Sequence, residues 1–289
     1  MLRRQRTILK LLAAAGGAIS ATQTMKYVFL LREETFLRDD TTFYEFLPYR
    51  FGPYSFAVHR EIESLTGYGY IQSTGSSFCA TALGKQEANR IDSDTARAVL
   101  AIFAKYGKTP LKSLLKDVYA RYPWYATNSE LSDLVLAGTQ ETRTAPIAIY
   151  TLGYEDRSVD GFLDKLLRAG IRRIVDVRAN PVSRKFGFAG SALARLAGKL
   201  GIGYTHHPEL GIPSERRKEV RTPSEFRELF SYYERQILPP KADEIAKVAE
   251  LMKATPSVLV CMEKEAVDCH RSRLATRVAS MTNLKVAHL

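Results

Sequence analysis

Between Pro256 and Arg273 the chain reads Pro-Ser-Val-Leu-Val-Cys-Met-Glu-Lys-Glu-Ala-Val-Asp-Cys-His-Arg-Ser-Arg, and no other stretch narrows the fold as much. Residues 257–261 form a mostly apolar run with β-branched Val258 and Val260, the pattern of a short strand buried on both faces, as in a parallel sheet covered by helices. After a polar loop of about half a dozen residues, Leu274, Val278 and Met281 take up helical spacing, with Asp268 as the predicted N-cap. Such a junction of strand, loop and helix N-terminus is where open α/β sheets hold ligands. The sequence puts Glu263, Cys269, His270 and Arg271 there, with Cys261 at the strand end. Unpaired N–H groups and the positive end of the helix dipole favour an anion at such a place and lower the pKa of a thiol.

The rest of the second half fits the same architecture. A strand over 147–152, a helix capped by Ser158 with Phe162, Leu163, Leu166 and Leu167 on one face, a stop at Gly170 and a strand over 171–177 make a βαβ unit. A helix over 189–200, a strand over 202–206, helices over 223–237 and 240–252, and a last strand over 285–288 complete the pattern. The prediction is a three-layer α/β/α domain over 146–289 with a mainly parallel sheet. In such a sheet the carboxyl ends share one edge, which brings Tyr154, Asp176, Arg178, His206 and Glu263 within reach of one another. Arg178, Arg184 and Lys185, three cations in eight residues, suit a phosphate. Neither a phosphate loop nor a dinucleotide fingerprint occurs, so no cofactor such as ATP or NAD is expected.

The first half has a different period. Residues 3–15 read as a helix ended by Gly16-Gly17; Ser20 or Thr22 caps a second helix to about Glu34, with Met25, Val28, Phe29 and Leu31 facing a core. After the aromatic run from Phe43 to Tyr54, Pro53 suits the first position of a third helix carrying Val58, Ile62 and Leu65. A hairpin over 68–83 follows. Three helices and a hairpin outline an α+β winged helix over 1–90, in which Cys79 packs in the wing. "Phe-Gly-Pro-Tyr" at 51–54 and "Leu-Gly" at 83–84 resemble winged-helix domains of bacterial regulators and antitoxin-like proteins. Residues 91–145 read as a helical connector and linker, with Trp124 packing between domains.

Composition bears on partners and compartment. The net charge is +11 over 289 residues, with both halves basic, which makes nucleic acid, DNA first, the expected partner. His59 and Arg60 on the third helix are the candidate contacts, opposed by Glu61 and Glu63; a winged helix used for homodimerisation or protein contact is the alternative. Three cysteines, an odd number, argue for a reducing, cytoplasmic setting. Arg3, Arg4 and Arg6 before an apolar stretch imitate a secretory signal, but Lys10 interrupts it. No apolar run reaches the roughly 18 residues of a membrane span.

"Tyr-Thr-Leu-Gly-Tyr-Glu" at 150–155, "Val-Asp-Val-Arg-Ala-Asn-Pro-Val-Ser-Arg" at 175–184, "Phe-Gly-Phe" at 186–188, "Pro-Glu-Leu-Gly" at 208–211, "Leu-Val-Cys-Met-Glu-Lys" at 259–264 and "Asp-Cys-His-Arg-Ser" at 268–272 together resemble the domain-of-unknown-function 488 family over 146–289. The resemblance implies the fold and implies that Asp176, Arg178, Glu263, Cys269, His270 and Arg271 belong together; it implies no reaction. Three readings follow. In the first, an enzyme acts on a nucleotide or nucleic acid at a phosphodiester or glycosidic bond: Glu263, Cys269, His270 and Asp176 are catalytic, and Arg178, Arg184, Arg271 and Tyr154 bind the anion. Asp176 has a structural alternative, pairing with Arg178 or capping a turn. In the second, Cys261, Cys269, His270 and one of His206 or His207 hold zinc, against an unfamiliar cysteine spacing and nearby arginines; no metal is assigned on the sequence. In the third, a non-catalytic DNA-binding regulator senses an anionic ligand.

Overall fold

A computed structural model describes residues 1–135, 143–217, 220 and 222–289, which form two compact units, Met1–Glu141 and Thr142–Leu289. Part of the expected linker, residues 136–142, lies outside the described residues.

In the first unit, α1 (Arg3–Ala15) ends at Gly16, whose φ of +69° suits glycine. Ser20 caps α2 (Ala21–Glu34) by accepting from the Gln23 N–H, and the Gln23 side chain returns to the Ser20 backbone. Ile8, Leu9, Leu11 and Leu12 are buried in the unit's core; at about 1.5–3 kcal/mol for each such side chain, α1 contributes as a core helix. Ser55 caps α3 (Phe56–Gly67), which buries Val58, Ile62 and Leu65. Pro53, expected at the start of this helix, instead lies in a hairpin of β2 (Leu47–Tyr49) and β3 (Gly52–Tyr54). At Gly52 φ is +89°, and a Cβ there would meet the Tyr119 ring at 2.5 Å, so the turn requires glycine.

A second hairpin, β4 (Ile71–Thr74) and β5 (Ser77–Ala80), takes on the two-residue β1 (Ile19–Ser20) in the order β1-β5-β4. Thr81, inside the span expected for the hairpin, caps a helix, α4 (Ala82–Ala88), so the hairpin ends at Ala80. The segment expected as a connector holds α5 (Ser93–Tyr106) and α6 (Leu111–Arg121), whose Val99, Ile102, Leu114 and Val118 join the core of α1, α2 and α3. Among the described residues no helix is long and apolar enough to cross a membrane.

The second unit is a five-stranded sheet of β6 (Ile149–Gly153), β7 (Arg173–Asp176), β8 (Gly203–His206), β9 (Ser257–Cys261) and β10 (Val286–His288), in the order β10-β6-β9-β7-β8. All four pairings are parallel. The helices are α7 (Val159–Ala169), α8 (Gly190–Gly198), α9 (Ser214–Arg217), α10 (Pro223–Tyr232), α11 (Ala242–Ala254) and α12 (His270–Thr282). Ile149, Val175 and Leu259 share a core with Ile245, Val248 and Met252 of α11 and Leu274 and Val278 of α12. The chain moves one way across the sheet from β6 to β8 and the other way from β9 to β10, so right-handed crossovers put α7 and α8 on the opposite face. Connections therefore leave β6 and its neighbour β9 toward opposite faces, which opens a crevice beyond their carboxyl ends.

Two family motifs have plain packing reasons. Leu210 of "Pro-Glu-Leu-Gly" is fully buried, and a Cβ on Gly211 would lie 2.0 Å from the Ala179 nitrogen. Gly153 is pressed as closely, with the Glu263 carbonyl oxygen 1.8 Å from where its Cβ would be.

Candidate functional site

Register aligns the strand ends: Gly153 sits opposite Cys261, and Asp176 opposite both Val260 and His206. The polar residues beyond this edge sort into two groups.

The first is closed. Asp176 is fully buried and its carboxylate takes Arg178 Nε and Nη2 together with the Tyr204 hydroxyl, the last at 2.7 Å. Arg178 Nη1 donates to the Tyr154 hydroxyl at 3.2 Å and to the Phe188 carbonyl at 2.9 Å. Tyr154 stacks on Phe188, with ring centroids 4.4 Å apart. Burial works against the guanidinium charge, but the Asp176 hydrogen bonds and charge outweigh it and leave the Arg178 pKa raised. The Tyr204 phenol is pushed up by burial and then by the Asp176 charge. Asp176, Arg178 and Tyr154, expected to meet a substrate, thus meet one another, and the strand-end reading of Asp176 describes what is seen.

The second group lies where β9 gives way to α12. Cys269, not Asp268, is the N-cap residue of α12. Both thiols face one carboxylate oxygen: Cys261 Sγ is 3.1 Å and Cys269 Sγ 2.9 Å from Glu263 Oε2. His270 Nδ1 lies 3.7 Å from Cys261 Sγ and 3.9 Å from Cys269 Sγ. Its Nε2 is 3.0 Å from the Val177 carbonyl, which requires the proton on Nε2 and, in the neutral ring, leaves the lone pair on Nδ1. Cys261, Cys269 and His270 are at most 2% exposed. Burial pushes the Cys269 thiol well above its ordinary pKa, and the neighbouring Cys261 adds to this. The helix-terminus argument for a reactive Cys269 thiolate therefore loses to desolvation.

Arg271 is buried too, but its Nη1 and Nη2 donate to the carbonyls of Glu263 and Lys264. It holds the loop that carries Glu263 instead of offering a fork to an anion. Arg184 is exposed in the loop after β7. His206 Nε2 contacts the Arg178 carbonyl at 2.8 Å and His207 Nδ1 contacts Glu244 at 2.7 Å. Neither joins the cysteines, and Glu263 takes the place expected for one of them. The link to the Asp176–Arg178 pair runs through the main chain, because His270 grips the residue between those two.

Beside the cluster is a cleft of about 640 Å³, lined by Glu155 and Asp156 after β6, Phe226 and Phe230 of α10, Arg227, Arg273 and the loop from Glu263 to Asp268. Of the cluster, Glu263 is the member on this wall. Carboxylates of Glu155, Asp156, Glu263, Glu265 and Asp268 outnumber the cations Arg227, Lys264 and Arg273, so the cleft does not attract a bare phosphate by net charge. Phe226, Arg227 and Phe230 carried no sequence signal, since α10 lies far along the chain from the β9 loop; Arg273 closes the 256–273 stretch but was not singled out in it.

In the first unit, His59 and Arg60 are exposed on α3. Glu61 is paired with Arg4 of α1 at 2.9 Å and Glu63 with His59 at 3.3 Å.

A parallel α/β domain with a thiol, imidazole and carboxylate cluster at its topological switch point is the class these observations define. Residues 158–278, within the second unit, match the family model described as Domain of unknown function DUF488. No curated protein and no solved structure matches the chain.

Proposed function

We propose that this protein binds nucleic acid through its first unit and acts on it, or on a nucleotide, through the cleft of the second, by hydrolysis or transfer at the glycosidic bond or base rather than at the phosphodiester. The placement of Glu263 carries the reading: it is the cluster's carboxylate on the cleft wall, positioned to take a proton from a water or hydroxyl in the cleft. Phe226 and Phe230 offer faces on which a base can stack, while Arg227, Lys264 and Arg273 serve a flanking phosphate. The excess of carboxylates favours the neutral base and sugar over a phosphate in the centre.

The order α1, β1, α2, β2, β3, α3, β4, β5, with β1 on the β4–β5 hairpin, supports a winged helix that carries an extra β2–β3 hairpin. With Glu61 paired to Arg4, part of the repulsion expected from α3 is offset, and the charge of +11 favours a polyanion. Free thiols at Cys79, Cys261 and Cys269 fit the reducing cytoplasm. An anion-sensing regulator is supported less well, because Arg178 and Arg271 are already engaged.

The test is a salt series of binding to a random-sequence duplex and its single strand, with each recovered and weighed by mass spectrometry. Expected are salt-dependent binding and a product that Glu263→Gln abolishes while binding persists. Binding without product overturns the catalytic part and leaves the regulator; absence of both binding and product overturns the whole proposal.

A further inference from the structure

We infer that Cys261, Glu263, Cys269 and His270 are the four ligands of a zinc-class divalent metal ion. The ligand atoms all lie within 4.8 Å of one another. Four of their six separations are 3.1, 2.9, 3.7 and 3.9 Å. A tetrahedral site with bonds of about 2.0–2.3 Å has edges of roughly 3.3–3.8 Å, so the cluster is already close to that size. Two sulfurs, one imidazole nitrogen and one carboxylate oxygen are a zinc ligand set, whereas magnesium or calcium would want oxygens.

Three further features fit. The Val177 carbonyl on His270 Nε2 aims the Nδ1 lone pair at the thiols, the outer contact that orients metal-bound histidines. Both buried thiols point at one oxygen of the half-buried Glu263 carboxylate, so two sulfurs and a carboxylate oxygen converge on one point. Finally, charge balances. Two thiolates, one carboxylate and a divalent cation leave one negative charge, and Arg271, 2% exposed and with no acidic partner within salt-bridge distance among the described residues, donates to the main-chain carbonyl of the ligand Glu263. The arginines that speak against a cation in the sequence do not do so in the structure, because Arg178 is neutralised by Asp176.

On binding, each cysteine releases its thiol proton to solvent, His270 ligates through Nδ1, and Glu263 ligates as the carboxylate. The ion ties the end of β9 to the start of α12. Glu263 is the ligand on the cleft wall, so a water or substrate that displaces it frees the base required above. The metal site itself does not depend on that reaction.

The experiment loads the purified full-length chain with zinc, removes excess by gel filtration and measures metal per chain by inductively coupled plasma mass spectrometry. A second sample is loaded with cobalt(II) for its absorption spectrum, and thiol reactivity is followed with and without metal. Expected are one tightly held ion per chain, thiolate-to-cobalt charge transfer with a tetrahedral visible band, and, for the buried Cys261 and Cys269, reaction that is slower with metal than after chelation, while Cys79 reacts alike in both. Cys269→Ser is expected to lose the ion and Cys79→Ser to keep it. Zinc far below one per chain, or a cobalt spectrum without thiolate bands, overturns the inference even if the cysteine variant misfolds. No nucleic acid is present, so failure here is separate from failure of the proposed reaction.

Discussion

Lys26 lies inside the first unit, 2% exposed on α2, with its Nζ donating to the Pro53 carbonyl at 2.8 Å. Burial lowers its pKa from 10.5 to about 7. A base with a depressed folded pKa is protonated more readily in the unfolded chain, so stability rises with pH between about 7 and 10.5 and is lower and constant below that window. The gap, at about 1.4 kcal/mol per pH unit, corresponds to about 5 kcal/mol between the two ends. Lys26→Met keeps the shape of the stem and removes the charge, but leaves the Pro53 carbonyl without its donor, which costs about 1–3 kcal/mol. The variant is expected to be more stable than the parent by about 2–4 kcal/mol at pH 6 and less stable by about 1–3 kcal/mol near pH 10.5. Urea unfolding of the full chain at a series of pH values checks this. Trp124, the one tryptophan, sits in the first unit and reports its melting by fluorescence. Titrations shared by both proteins cancel in their difference. A difference that stays flat from pH 6 to 10.5 would refute the reasoning.

Other outcomes follow from the second unit and from α3. Asp176→Asn leaves Arg178 as a buried charge without its partner and should destabilise the domain by about 3–5 kcal/mol; chemical denaturation checks it, and an unchanged midpoint with lost activity would return Asp176 to the catalytic residues. Gly153→Ala drives a methyl group into the Glu263 carbonyl, an overpacking expected to cost at least about 1–3 kcal/mol and to lower zinc retention, which metal analysis of the variant reads directly. Arg60→Ala should weaken duplex binding and reduce its salt slope by about one; an unchanged slope in a binding titration removes α3 from the contact.

Local pattern made much of the fold legible. Helix ends marked by Gly16 and Gly170 and caps at Ser20 and Ser158 occur as read, because each solves a backbone problem within a few residues. The parallel sheet followed from apolar runs separated by helical ones. Pro53 misled because its fixed φ suits a hairpin as well as a helix start, and the cap that decides, Ser55, is two residues on. At the site the residue set was legible and its division was not. Whether Arg178 turns to a ligand or back to Asp176 depends on Tyr204 and Phe188 arriving from other elements. Likewise the choice of Glu263 over His206 or His207 as fourth neighbour of the thiols depends on where β8 ends, which places both histidines against other partners. Lys26 shows a related limit: helical periodicity marks the core face, but Thr24 to Leu31 is buried all round.

The central claim is that Glu263, backed by Cys261, Cys269 and His270, acts on a nucleic acid bound by this chain. Its most direct test incubates the full-length parent and Glu263→Gln, each with its bound metal measured, with the same single strand and duplex at equal occupancy and determines the mass of every recovered strand. The account predicts a discrete mass change corresponding to loss or replacement of a base with the parent, and none with the variant. Strands recovered unaltered from both, or altered equally by both, would contradict it.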